Sequence, residues 1–218
     1  AGLRMQADLA QRSGASEDEL KRSLQQIGRA SVQATHTVNQ LLALARAEGG
    51  GASLPQQQCN MVSMASEVLL DCFERAADKG IDLGYDGAEA DAPGVIVKGN
   101  PTLLKEMVRN LVENAIHYTP STPERPGVVT LRVLVDPYSR VLVLQVEDNG
   151  PGIAPAEREL VFQPFYRALG TNVDGSGLGL PIVREIAQRH GATVAVDAAH
   201  PGQTPPGACF TVRFGLPD

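Results

Sequence analysis

The chain has 218 residues, 43% of them apolar, and a formal net charge of -6. That suffices for one full globular domain with an appended element, and the acidic balance argues against a nucleic-acid platform. No apolar run approaches a membrane span, and the first residues lack the charged-then-apolar layout of a signal peptide, so a soluble, cytoplasmic chain is expected.

Residues 1 to about 12 and 16 to 47 read as helices, broken at Ser13-Gly14-Ala15. The second opens on a capping box, Ser16 with Glu19 three residues on. Leu20, Leu24, Ile27, Ser31, Ala34, Val38, Leu41 and Ala45 then alternate by four and three, a sustained heptad seam. About 30 residues at ~1.5 Å each make a rod of ~45 Å, too long for one small domain to cover, so partner helices are expected. His36 lies in Ala-Thr-His-Thr-Val on this segment and is read as structural or solvated. The glycine run after Glu48 reads as a short hinge over 49–54.

Beyond the hinge, strands are predicted near 55–59, 81–85 and 94–98, with a helix over 61–78. Asn100-Pro101 has the form of an N-cap followed by proline at the first helical position, so a helix should run from there to about Tyr118. Leu103, Leu104, Met107, Leu111, Val112 and Ala115 form its apolar stripe, while Glu106, Asn110, Glu113, Asn114 and His117 take polar positions. Asn110 and Asn114 are four apart and share a face. An amide oxygen is a hard, neutral ligand suited to magnesium, which takes its other oxygens from water and nucleotide phosphates.

Two more strands are predicted over 127–136 and 140–148, the second ending at Asp148 before the turn Asn149-Gly150-Pro151-Gly152. An ionised carboxylate only accepts hydrogen bonds, so Asp148 suits a donor such as the exocyclic amine of adenine. Gly175, Gly177 and Gly179 then precede an apolar helix, Leu180 to Arg189, with Pro181 tolerated in its first turn. Glycines allow close approach of the backbone, and a helix N-terminus favours anions, so phosphate is the expected guest. Closing strands are predicted over 192–198 and 208–214. His190 stands at a helix C-terminus, where a cation is favoured, and His200 precedes a proline turn. Cys59, Cys72 and Cys209 are too few and scattered for a disulfide framework or a zinc site, and fit a reducing compartment. The fold class is α/β (α+β): a two-layer sandwich of a mixed, mainly antiparallel sheet with helices on one face.

Asp-Asn-Gly-Pro-Gly alone is usually a turn, and a lone Gly-x-Gly-x-Gly is often a flexible loop; their fixed order is what is specific. N-L-V-E-N-A-I-H-Y-T-P, D-N-G-P-G-I, V-F-Q-P-F-Y-R (Val161 to Arg167) and G-S-G-L-G-L-P-I-V resemble the N, G1, F and G2 boxes of the sensor histidine kinase ATP-binding domain. That is the Bergerat fold, shared with gyrase, mismatch-repair ATPases and heat-shock chaperones. The resemblance covers about residues 55 to 216 and implies ATP and Mg2+ as cofactors. It makes Asn114 the magnesium ligand, Asp148 the adenine reader, Tyr118 an adenine-stacking ring, and Arg167 to Ser176 an ATP lid. Gly150, Gly152, Ile153, Gly175, Ser176, Gly177, Leu178, Gly179 and Leu180 would line the nucleotide. Asn110, Asn114 and Arg167 form the expected catalytic set, and Phe162, Phe165 and Tyr166 a core that anchors the lid.

Departures from the family pattern also inform. His117 stands where a Lys or Arg is common, so any charge it offers phosphate depends on pH. Pro164 replaces a second F-box Arg of many members, which leaves Arg167 as the basic contact there. Asn110 occupies the position where the ATPase relatives carry a water-activating Glu. An amide is no general base near neutral pH, so hydrolysis should be slow and transfer to a side chain favoured.

Residues 1–48 resemble the dimerisation and phosphoacceptor hairpin of the same kinases. Their phosphorylated histidine sits in a box resembling H-[E/Q]-L-R-T-P-L, and A-G-L-R-M-Q-A-D-L-A is similar to the stretch immediately C-terminal to that box. The chain starts at Ala1, so the box is expected to be missing, and His36 lacks its acidic neighbour and its Thr-Pro. The expected division is therefore hairpin remainder 1–48, hinge 49–54 and ATP-binding domain 55–218. The implied whole is a homodimeric two-component kinase passing the γ-phosphoryl of ATP to a histidine and then to a response-regulator receiver aspartate. Anchorage in the bacterial inner membrane would come from segments outside this chain. Two alternatives remain: a Bergerat ATPase or anti-sigma-type serine kinase, disfavoured by Asn110 and the heptad seam, and a degenerate dimeric scaffold.

Overall fold

The computed structural model describes residues 56–136, 138, 140–166 and 177–215. The chain divides into two units, Ala1–Ala43 and Leu44–Asp218, and every described residue belongs to the second. The helices expected over 1–12 and 16–47 and the hinge at 49–54 lie outside the described residues. In chain order the elements are β1 (Gln57–Asn60), α1 (Met61–Asp78), β2 (Ile81–Tyr85), β3 (Ile96–Gly99), α2 (Pro101–Tyr118), β4 (Gly127–Asp136) and β5 (Val141–Asp148). Short 3-10 turns at Pro155–Glu157 and Leu160–Phe162 precede α3 (Gly179–Arg189), β6 (Ala192–Ala198) and β7 (Ala208–Gly215). No helix among the described residues is long and apolar enough to cross a membrane.

Five strands form one sheet in the order β2-β4-β5-β7-β6, with β2 parallel to β4 and every other pair antiparallel. β1 and β3 stand apart as their own antiparallel ladder, from Gln57↔Gly99 to Asn60↔Ile96. Residues alternate inward and outward along β5, as a strand with one covered face requires. Leu144 sits between Val133 and Val212, and Val146 between Leu131 and Phe210, all buried. One step further along this inward row comes Asp148, between Val129 and Ala208.

The three helices make the second layer, with α2 in the middle, touching α1, α3, β4 and β5. Its buried side includes Val108 and Ile116 beside the six stripe residues, because a helix covered by neighbours on both flanks buries more than a narrow stripe. Fully burying each Leu, Val or Met contributes ~1.5–3 kcal/mol, which offsets the cost of ordering the helix. α1 and α2 run parallel: Glu67–Lys105 (2.8 Å), Asp71–Arg109 (2.6 Å) and Arg75–Glu113 (2.6 Å) pair at a constant sequence offset. Such exposed pairs contribute at most ~1 kcal/mol each, so they set helix register more than stability.

Both ends of α2 are tied to neighbouring helices. At the start, Asn100 Oδ1 accepts from the Leu103 N–H at 3.0 Å, the expected N-cap. The Asn100 N–H donates to His190 Nε2 at 3.0 Å, while His190 Nδ1 lies 2.7 Å from the Ile186 carbonyl. A carbonyl only accepts, so Nδ1 carries the proton, Nε2 accepts, and the imidazole is neutral. A helix C-terminus suggests a cation at His190; the partner on β3–α2 makes it an acceptor instead. Close approach here requires glycine, since a Cβ at Gly99 would lie 2.5 Å from His190 Cδ2 and 2.7 Å from Leu104 Cδ1. At the far end Lys79 Nζ donates to the carbonyls of Ile116 (2.7 Å) and His117 (2.9 Å), a cation on a helix C-terminus.

Gly99→Ala is expected to destabilise the domain by ~1–3 kcal/mol through overpacking. His190→Ala should cost ~1–3 kcal/mol by removing the acceptor for Asn100. Equilibrium denaturation of both single variants and the double variant checks the shared contact: the double should cost clearly less than the sum. Strict additivity would reject it.

Candidate functional site

Register alone brings Asp148 onto the helix-covered face of the sheet, where it is 6% exposed. Its Oδ1 accepts from the N–H groups of Gly150 (2.9 Å) and Ala208 (3.3 Å). A Cβ at position 150 would stand 2.9 Å from that same oxygen, so glycine is needed for the turn to close on the carboxylate. Burial pushes the Asp148 pKa up to about 6, against the two backbone N–H bonds, which hold it down. With Oδ1 committed to two donors, the carboxylate is oriented and Oδ2 is the oxygen that can take a third. An aromatic amine such as that of adenine supplies one.

On α2, Asn110 is 4% exposed, and its Nδ2 donates to both the Glu106 carbonyl (2.9 Å) and Glu106 Oε1 (3.1 Å). Asn114 comes one turn later on the same face, half-buried, and then the rings of His117 and Tyr118, T-shaped with centroids 5.0 Å apart. Among the described residues no group of three or more His, Cys, Asp or Glu could hold a metal. The donors here are neutral amide oxygens, which fits an ion that draws most of its ligands from phosphate and water, as magnesium does.

Phe162 is buried edge-on to Phe210, with centroids 6.3 Å apart, and the Arg184 guanidinium lies 4.3 Å from the Phe162 ring centre. The Tyr166 hydroxyl is 2.8 Å from Glu157 Oε1, and the ring packs partly buried against the core. Phe165 departs from the expected anchoring core: it is 70% exposed and holds φ +64°. Its N–H donates to the Gly177 carbonyl at 2.9 Å, and a Cβ at Gly177, itself at φ +68°, would come within 2.8 Å of Phe165 Cα. Gly177 therefore has a reason to be glycine inside the chain, independent of any ligand. Pairing of the two backbones turns the Phe165 side chain outward.

Leu178 is buried ahead of α3 and its carbonyl accepts from the Ile182 N–H at 3.1 Å; Gly179 opens the helix, and Leu180 and Ile153 pack partly buried against the core. Gly152, at φ +75°, abuts Pro206 and Gly207 of the β6–β7 loop. Arg167, Gly175 and Ser176 lie outside the described residues. Three groups escape the motif reading. The Ala208 N–H and Glu106 act on Asp148 and Asn110 without any local motif. Asn149 is a strut, its Oδ1 accepting from Val128 N–H and its Nδ2 donating to the Pro126 carbonyl, both at 2.9 Å. An Asp-Asn-Gly turn does favour such side-chain-to-backbone bonding, so that signal was present. A groove of about 320 Å³ on the outer sheet face, bordered by Arg125, Val128, Glu147, His200 and Pro205, reaches Asp148 and Asn149 of the G1 box, while no N-, F- or G2-box residue lines it.

Asp148→Asn keeps an oxygen for the Gly150 and Ala208 N–H groups and replaces Oδ2 with an amide donor, which meets an adenine amine donor to donor. Nucleotide affinity should fall ~10–100-fold, the scale of a lost charge-assisted bond plus an unpaired donor. Stability should move the other way. The folded-state pKa is raised from an ordinary 3.8 to about 6, so this group favours folding below about pH 4 and that contribution is lost as pH rises through about 6. At neutral pH the buried carboxylate costs up to ~3 kcal/mol, and Asp148→Asn should melt no lower than the parent. Calorimetry with ADP from pH 5 to 8, beside thermal melts, checks both; wild-type affinity should weaken as pH drops through about 6. Unchanged affinity in the variant would remove Asp148 from adenine recognition.

Residues 99–218 match the family model for histidine kinase-, DNA gyrase B- and HSP90-like ATPases. Over 202 residues the chain is 35% identical to the sensor protein QseC of Salmonella typhi, covering 93% of this chain but 42% of QseC; it thus spans about two-fifths of that relative. The mycobacterial sensor histidine kinase MprB superposes with a TM-score of 0.63 at 31% identity, over 75% of this chain and all of the MprB chain. The histidine kinase ThkA, in complex with the response regulator TrrA, shares the fold at a TM-score of 0.66 and 20% identity, over 99% of this chain and 56% of ThkA. The chain therefore belongs to the histidine kinase-, DNA gyrase B- and HSP90-like ATPases, as a sensor histidine kinase ATP-binding domain.

Proposed function

We propose that this chain is the catalytic portion of a two-component kinase, delivering the γ-phosphoryl of ATP to a histidine and thence to a receiver-domain aspartate. The observation that carries this reading is Asn110: an amide, with its NH2 bonded to Glu106, occupies the position where hydrolysing relatives place a water-activating carboxylate. The neighbouring Glu113 is engaged by Arg75. Adenine is read by Asp148 Oδ2, with Tyr118 against the base. Asn114, with Asn110 beside it, holds magnesium, which neutralises phosphate charge when bound. The N-terminus of α3 with Gly177, Leu178, Gly179 and Leu180 faces the phosphates, joined by Gly175, Ser176 and Arg167. His117 adds charge there only at lower pH. Phosphoryl transfer needs in-line placement and charge neutralisation more than covalent help, which is what these groups supply.

The same reading makes residues 1–48 part of a dimerising hairpin, with the heptad seam covered by a second copy. It makes a receiver domain the partner, supported by the ThkA complex with TrrA. The site faces the cytoplasm, and membrane attachment comes through segments outside this chain.

No H box occurs in these 218 residues, so the chain given γ-labelled ATP and magnesium should bind nucleotide without taking up label. Joined to an upstream hairpin that carries the H box, it should acquire acid-labile label that Asp148→Asn abolishes. Rapid phosphate release by the chain alone would favour the hydrolysing relatives instead, and failure to bind ADP in calorimetry would favour a scaffold.

A further inference from the structure

We infer that Glu106 is the positioning residue for Asn110, holding its amide so that only the oxygen is presented to the bound magnesium nucleotide. The inference rests on the proposed nucleotide site and adds a residue to it. Asn110 Nδ2 donates to the Glu106 main-chain carbonyl at 2.9 Å and to Glu106 Oε1 at 3.1 Å. Neither a carbonyl nor a carboxylate can donate, so the end of the amide that faces Glu106 must be the NH2. The usual ambiguity between amide oxygen and nitrogen is therefore removed by chemistry. Inverting the amide would set its oxygen against two other oxygens and forfeit both bonds, one of them to a charged acceptor.

The consequence for a ligand is directional. With its NH2 turned to Glu106, Asn110 directs its amide oxygen away from that residue, an acceptor that suits a divalent cation or a water bound to it and does not suit a phosphate oxygen. Glu106 also differs from the three acids that bridge α1 and α2. Glu67, Asp71 and Glu113 each take a Lys or Arg across the groove between these helices. Among the described residues Glu106 enters no such pair, and its carboxylate turns along its own helix to Asn110. Nor, among the described residues, do the exposed Glu74 and Asp78 of α1 join the ladder, so what sets Glu106 apart is its bond to a buried amide. Glu106 is half-buried and spent on orienting an amide that is itself buried.

The test is the affinity of the whole chain for the ATP analogue AMP-PNP by calorimetry, with magnesium and with EDTA, read as the ratio of the two. Glu106→Ala should cut the magnesium-dependent gain on the order of fivefold, the scale of one hydrogen bond, while leaving the EDTA affinity as in the parent. Glu106→Gln retains an accepting oxygen and should restore the gain to within about twofold. In an Asn110→Ala background, Glu106→Ala should change nothing further, because its action runs through that amide. Thermal melts of each variant separate misfolding from misorientation, and the Gln variant keeps the test alive should the Ala variant unfold. An unaltered magnesium ratio in Glu106→Ala, an equal loss in EDTA, or an undiminished effect without Asn110 overturns the assignment while nucleotide binding stands. A parent chain that binds no AMP-PNP sinks the nucleotide reading and this inference together; one that binds it equally with magnesium and EDTA sinks the role of the amides alone.

Discussion

The fastening of α2 at both ends is the constraint on which the site depends. Its first turn is held through the Asn100 N–H on His190, from the end of α3, and its last carbonyls are held by Lys79, from the end of α1. A helix rises ~1.5 Å per residue, so once its ends and buried side are set, a row spaced four residues apart falls at ~6 Å intervals along a fixed line. Asn110, Asn114 and Tyr118 form that row. The apolar side of α2 supplies the free energy that keeps it in place, and the polar row can be chosen for chemistry. Gly99 belongs to the same fastening, because a side chain there would displace the imidazole.

Asp148 reaches the same region by a different route, the register of the sheet. It continues the row of Leu142, Leu144 and Val146, so the alternation that builds the core also carries a carboxylate into it. Burial there is unfavourable to the charge, and the two backbone N–H groups only partly relieve it. A residue selected for folding alone would be apolar at this place. Keeping a carboxylate trades stability for an oriented acceptor, which is what the proposed reading of adenine by its amine calls for.

Much of this was legible from periodicity. Alternation by two marks β4, β5 and β7, the stripe at three and four marks α2, and Asn100-Pro101 marks where it begins. Periodicity says which face a residue takes and not which strand pairs with which, so the split of β1 and β3 from the main sheet had no local signal. His190 takes its role from an N–H ninety positions away along the chain. Phe165 looks like core by composition and is turned outward by a backbone pairing with Gly177. Ala208 contributes a main-chain N–H, which any residue but proline could donate. Of the candidate site, the side-chain chemistry was readable while the groups that orient it were not.

Asn110 and Glu106 together bear on why a shared fold can serve either hydrolysis or transfer. A carboxylate aimed at the γ-phosphate would take a proton from water and spend the phosphoryl group on solvent. In the proposed site that position carries an amide, and the acid one turn earlier is directed along the helix to that amide. Charge is thereby kept out of the path of a triphosphate, which a second anion would repel, and water near the phosphate finds no base in Asn110. On the proposed reading, a nucleotide held this way would lose its phosphoryl group slowly until a better nucleophile arrives. Withholding the base is then as much a part of the proposed phosphoryl donor as the groups that hold the nucleotide, and the end of the buried amide that faces Glu106 decides only what Asn110 offers a cation.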